Sequence, residues 1–313
     1  MPGYYVVVAG RDVVVRASGD GHATGSVAIP GPTATARTSV SSRVFGGADD
    51  RHFVIAVSRG GDLPGVAAVT LFQLTVSQGG RPGGLRPIGF GNRGMPVLGA
   101  AVSPDGKMLA LSLVHEFPPG GLYGSVEVID LASGATRAWT GTSAPGYWPG
   151  APAWDGDGTV AVPWWHSGSA GLVPAQLTGI RYLNAGTPGG RLLATQLVAF
   201  PAAVPGLQSA VIVPGGEVVG SSCHAMHHTA TAQVLELSAA NGRLVRLVRT
   251  QTARFGNDAD ALAAAFSACQ VLSVAGTGGH VLVWAFAFGR IDNGVFTSLP
   301  GTTPQGLPVS AAW

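Results

Sequence analysis

Three histidines recur through the middle of the chain at separations of 51 and 58 residues: His115, His166 and His224. Their neighbours are as informative as the imidazoles, since Glu116 follows the first, Trp164 and Trp165 precede the second, and Cys223 precedes the third. Neutral imidazoles with one carboxylate suit a borderline cation such as Zn²⁺, and paired indoles suit stacking of a sugar or an aromatic ligand. In a chain poor in charge the same residues also serve as amphipathic cover on loops. The expectation taken forward is a ligand-contacting rim of His115, Glu116, Trp164, Trp165, His166 and His224, with no resident metal or cofactor. His227 and His228 are expected to be solvated.

Other chemistries find less support. Ser221, Ser222 and Cys223 adjoin His224, but neighbours in an extended strand point to opposite faces, and no Gly-x-Ser-x-Gly elbow exposes a hydroxyl. No catalytic residue is therefore assigned. A Ca²⁺ site needs several converging oxygen ligands, whereas Asp49, Asp50, Asp105, Asp155 and Asp157 read as turn formers. Asp258, Asp260 and Glu116 are left as rim acids or solvated loop residues. The glycine-rich run of residues 79–84, GGRPGG, is not followed by Lys-Ser or Lys-Thr, so it is not a phosphate cradle.

The two cysteines, Cys223 and Cys269, are too few for a tetrahedral metal site and form no CxxC pair. They fall at similar levels of adjacent repeats. A disulfide is allowed if their Cβ atoms come within about 4.5 Å, and it would favour an oxidising compartment. Two buried, reduced small hydrophobes are the alternative.

The elements that position these residues are legible in composition and repeat. The chain has 313 residues, of which 48 are glycine and 22 proline, yet hydrophobic residues reach 46% and mean hydropathy is +0.32. A large core is available, which excludes disordered and collagen-like chains. Charged residues are only 11% and the formal charge is +2, so there is no basic stripe for nucleic acid. No apolar run is long enough to span a bilayer as a helix, and no signal peptide is read at the N-terminus. As written, the chain begins inside its fold.

Turn signals at Asp50, Gly106, Gly158, Gly216 and Gly279 lie 56, 52, 58 and 63 residues apart. Each is followed by a β-branched or aromatic run, and then at variable distance by a second hairpin, as at Ser133-Gly134 and Asn241-Gly242. A period of this size made of strands alone predicts propeller blades. Five copies begin near Thr38, and an N-terminal remnant from Tyr4 lacks its first strand. The final run, residues 307–313, supplies it. The expectation is an all-β, single-domain, six-bladed β-propeller closed by its terminal strands, with seven blades as the alternative because residues 59–92 could hide irregular strands. Residues 258–268 are read as a loop rather than a helix, and residues 192–198 as a return strand.

The runs AVSPDG at 101–106, VEVIDLASGAT at 126–136 and FGRIDNGVF at 288–296 resemble the TolB-like and WD-repeat-like propellers of high-GC Gram-positive bacteria. The resemblance covers the whole chain. It implies the fold but no particular activity, because this turn is shared by propellers of unrelated function. It also implies an extracytoplasmic domain, favoured here over a cytoplasmic one. The functional expectation is a non-catalytic, monomeric binding module for a protein or small ligand. The alternative is a propeller hydrolase or lactonase, or a glycan-processing enzyme, using a metal or acid at the channel mouth.

Overall fold

The computed structural model describes residues 2–31, 40–46, 51–60, 67–89, 97–117, 121–141, 146–156, 158–166, 176–201, 207–213, 216–226, 229–254, 269–275, 280–285, 287–300 and 310–313. Among them the strands form six four-stranded blades, and the helical content is a single 3₁₀ turn, Leu192–Ala194. From inner to outer strand, blade 2 is Val40–Gly46, His52–Gly60, Ala67–Thr75 and Arg86–Pro87. Blade 3 is Val97–Val102, Met108–Phe117, Gly121–Asp130 and Thr136–Thr140, and blade 4 is Ala153–Trp154, Thr159–His166, Gln176–Asn184 and Gln196–Ala199. Blade 5 is Leu207–Val213, Glu217–Met226, Thr229–Ser238 and Leu244–Arg254, and blade 6 is Cys269–Ala275, His280–Ala285, Phe288–Asp292 and Val295–Ser298.

Blade 1 is built from both ends of the chain. Tyr4–Ala9, Asp12–Ala17 and Ala23–Ala28 form its second, third and outer strands, and Ser310–Ala312 supplies the inner one. Val6, Val7 and Val8 pair antiparallel with Ala312, Ala311 and Ser310. Closure of this kind leaves the first and last blades with no exposed sheet edge between them.

The apolar runs explain the layering. A second strand is covered on both sides by neighbouring blades, so it reads as a continuous hydrophobic run instead of an alternating one. In Tyr4–Ala9, Val6 and Val8 pack toward blade 2 while Tyr5 and Val7 pack toward blade 6. Every gap of the ring holds an apolar cluster as a result.

Polar side chains stitch the inner strands together as well. The Val271 amide donates to Ser209 Oγ at 2.7 Å, the Trp313 amide to Ser273 Oγ at 3.2 Å, and the Val44 amide to Ser310 Oγ at 2.9 Å. These serines link blade 5 to 6, 6 to 1 and 1 to 2. Between blades 3 and 4 Trp154 Nε1 donates to the Ala101 carbonyl at 2.9 Å, and Gly99 lets the two backbones approach so closely that a Cβ would collide with Ala151.

One feature departs from the sequence reading, and the seven-bladed alternative falls. Residues 192–195 are not a strand: the buried Arg181 guanidinium donates to the carbonyls of Leu192, Leu193 and Thr195 at 3.2, 3.2 and 3.0 Å. Those carbonyls are satisfied off the ladder, and the outer strand starts only at Gln196. The long stretch after Arg59 holds the third and outer strands of blade 2, not a seventh blade. Residues 258–268 and the turn markers Asp49, Asp50, Asp157 and Gly279 lie outside the described residues. Of the markers that are described, Gly106, Gly158 and Gly216 have φ of +72°, +87° and +98°, the left-handed region that the turns require.

Candidate functional site

In every blade the second strand runs antiparallel to the inner one, so all second strands leave for their next loop on the same end of the ring. His115, His166 and His224 lie at or near those departures. Two of them share a row. His115 is in register with Tyr123, Tyr123 with Tyr147, Tyr147 with His166 and His166 with Gln176. The link is the short strand Tyr147–Pro149, which pairs parallel to blade 3 and antiparallel to blade 4 and joins the two into one ten-stranded sheet. The side chains of His115, Glu116 and Tyr123 are outside what the structure describes, as are His227, His228, Asp258 and Asp260.

The His166 ring sits against Tyr147, with centroids 4.2 Å apart and planes tilted by 40°. Beneath it Tyr147 stacks on Trp164 at 6.0 Å, and the Arg181 guanidinium carbon lies 4.6 Å from the centroid of the Trp164 ring. Trp164 and Trp165 are only 3% and 6% exposed. Their ring faces are taken by packing: Trp164 in the gap between blades 3 and 4, Trp165 in the gap between blades 4 and 5. They form the floor under the rim instead of an offered stacking surface. Sequence reasoning missed Tyr147 and Arg181. Only the register of a three-residue strand and a buried cation reveal them.

His166 and His224 do not converge. Even-numbered residues of the blade 4 second strand face blade 3, as Val160, Val162 and Trp164 do. Even-numbered residues of the blade 5 second strand face blade 4, as Val218 does. His166 thus borders one gap and the exposed His224 the next. Among the described residues no three His, Cys, Asp or Glu side chains gather as metal ligands.

Cys223 faces the opposite way from His224. Its sulfur is bonded to that of Cys269 at the start of the blade 6 inner strand, with Cα atoms 6.1 Å apart and a sequence separation of 46. Both cysteines are buried, beside Ala232. Ser221 is bound up in the same junction, donating to the Cys269 carbonyl at 2.9 Å and lying 2.9 Å from Ser209 Oγ. Its hydroxyl is structural.

At the other end of the ring lies a polar group the sequence did not announce. His280 Nδ1 is 2.9 Å from Asp292 Oδ1, and Arg290 Nε is 2.7 Å from Asp292 Oδ2. The Trp313 ring stands edge-on to His280 at 6.4 Å. In the same gap Tyr5 donates to the Pro300 carbonyl at 3.1 Å, and burial, opposed by Arg16 and Arg290, pushes its phenol up to about 12. Asp105 is a turn former, as expected: it accepts from Ser103 Oγ and the Lys107 amide, and these bonds hold its carboxyl below the usual range.

No protein-family model matches the chain, and no curated protein matches it. Solved structures do align with it. The hemagglutinin-neuraminidase of Parainfluenza Virus 5 matches at 10% identity and TM-score 0.43, over 71% of this chain and 62% of that one. A mutant apocarotenoid oxygenase of Synechocystis matches at 12% and 0.49, over 98% and 73%. The dipeptidyl peptidase 4 of Porphyromonas gingivalis matches at 13% and 0.42, over 97% and 48%. This chain therefore spans less than two thirds of the viral protein and about half of the peptidase. Likeness at this level assigns no function, and the six-bladed ring rests on the chain's own sheets and gap clusters.

Proposed function

We propose that the chain is a non-catalytic binding propeller that contacts a protein or small ligand through the loop-departure end of blades 3 to 5. The observation that carries this reading is the register row from His115 through Tyr147 to His166. It fixes polar and aromatic residues from two blades in one line on a rigid sheet, with His224 exposed on the next blade. Preformed surfaces of this kind bind with little ordering cost. The buried Trp164 and Trp165 stiffen the floor, and His115, Glu116, His166 and His224 supply the contacts.

The blade turn at Ser103 and Asp105 supports placing the chain among TolB-like and WD-repeat-like propellers. The bond between Cys223 and Cys269 supports an oxidising, extracytoplasmic location.

The test is affinity capture of the native partner from source extract, comparing wild type with the His166→Ala/His224→Ala pair. The pair is expected to lose specific capture while keeping its melting temperature. Undiminished capture, or turnover of ester or glycoside substrates by the wild type, would refute the reading.

A further inference from the structure

The outer strand of blade 5, Leu244–Arg254, runs 11 residues, whereas the outer strands of the other blades run from 2 to 6. Its inner edge pairs along its length with Thr229–Ser238, and no described strand pairs with its outer edge. It contains neither proline nor glycine, two devices that would otherwise blunt such an edge. Bulges interrupt the register in its first half, and from Arg249 to Arg254 it is regular.

The two faces of this strand differ. Leu244 and Leu247 are in register with Leu237 and Leu235, which pack toward blade 4. They are nevertheless 58% and 48% exposed. The side toward blade 6 is cationic. Arg246 bonds Glu236 at 2.6 Å, and the Arg249 guanidinium carbon lies 4.4 Å from the centroid of the Phe296 ring. Arg249 Nε and Gln251 Oε1 are buried atoms without a hydrogen-bond partner. Of these two arginines only Arg246 has a carboxylate partner among the described residues, and Arg254, an odd number of residues beyond Arg249 in the regular half, faces the other side.

We propose that this edge takes an extended strand from a partner protein, in which acidic and apolar residues alternate. An added strand would satisfy the open row of backbone donors and acceptors, and its period of two would put carboxylates on the arginine side and apolar residues on the leucine side. A second copy of this chain fits poorly, because residues 244–254 hold no carboxylate to set against Arg246 and Arg249. The proposal goes beyond the rim reading, since this surface lies on the flank of the ring.

The experiment uses a capped, fluorescein-labelled peptide of about eight residues alternating Glu and Val, the length of an ordinary added strand, followed by anisotropy with the full chain at low salt. Saturable binding is expected. It should weaken about tenfold or more when Lys replaces Glu in the peptide, or with Arg246→Glu/Arg249→Glu in the protein, as two lost cross-strand charge pairs on the blade 6 side would give. Of two peptides N-methylated at alternate residues, the form blocked on the docking edge should lose binding and the other keep it. The His166→Ala/His224→Ala variant should bind as wild type does, which separates this test from that of the rim. Four results would each overturn the proposal: no binding of the Glu-Val peptide, indifference to both methylation patterns, loss of binding in the rim variant, or dimerisation of the free chain that Arg249→Glu abolishes.

Discussion

Replacing Cys223 and Cys269 together by alanine removes the disulfide between blades 5 and 6. The bond spans 46 residues, and closing a loop of that length withdraws about 13 cal/mol/K from the unfolded chain, or about 4 kcal/mol at 25 °C in the chain-entropy account. Unfolding entropy is about 2.1 cal/mol/K per residue, so for the 313 residues of this chain that loss corresponds to a melting temperature lower by about 6 °C. The alanines add little cavity cost, because each deletes a single sulfur atom beside Ala232. The assay is calorimetry of wild type and the double variant, each with and without reductant. Reductant should lower the wild-type transition toward that of the variant and leave the variant unmoved. A wild-type transition insensitive to full reduction, verified by thiol titration, would refute the reasoning.

The remaining predictions follow from burial and charge. Trp313 is 3% exposed in the gap between blades 6 and 1, so Trp313→Ala should cost about 3 to 5 kcal/mol, read by urea unfolding, and an unchanged midpoint would argue against ring closure by the last strand. Arg181→Met strands the Leu193 and Thr195 carbonyls, while that of Leu192 keeps its bonds from the Thr195 amide and hydroxyl, and removes the cation from the Trp164 face; a loss of at least about 1 kcal/mol is expected by the same assay. Glu217 is held above the usual carboxylate range by burial and then by the charge of Glu236, against a lowering by Arg246. The folded state therefore holds this proton more tightly than the unfolded one, and stability must fall as pH rises from the ordinary carboxylate value through the folded one. Glu217→Gln should abolish that decline, measured by urea midpoints between pH 4 and 8, the window spanning the reference carboxylate pKa.

The architecture was legible because its signals are local. Turn pairs such as Asn241-Gly242 and Ser133-Gly134 mark hairpins through their need for positive φ, and Gly134 and Gly242 adopt it at +74° and +69°. The run of Tyr4–Ala9 shows two buried faces in its composition alone. The site was legible only in height along the strands. Which gap a side chain enters depends on strand parity, and parity placed His166 and His224 beside different gaps. Burial of Trp164 and Trp165 depends on neighbours some distance away in the chain, such as Tyr147 and Arg181, and no spacing rule encodes those. The serine stitches between inner strands were likewise invisible, since Ser209, Ser273 and Ser310 look in the sequence like ordinary surface residues.

Blade 1 carries a kinetic implication. Its inner strand lies roughly 300 residues from the strand it pairs with, and contacts so remote form late because the intervening chain must first be compacted. During synthesis, blades 2 to 6 can stack in order as they emerge, while Tyr4–Ala9 waits with an open flank until Ser310–Ala312 has emerged. That interval exposes a β-branched stretch to wrong partners, which makes the sealing step the point at which a holding chaperone would most raise the yield of native protein.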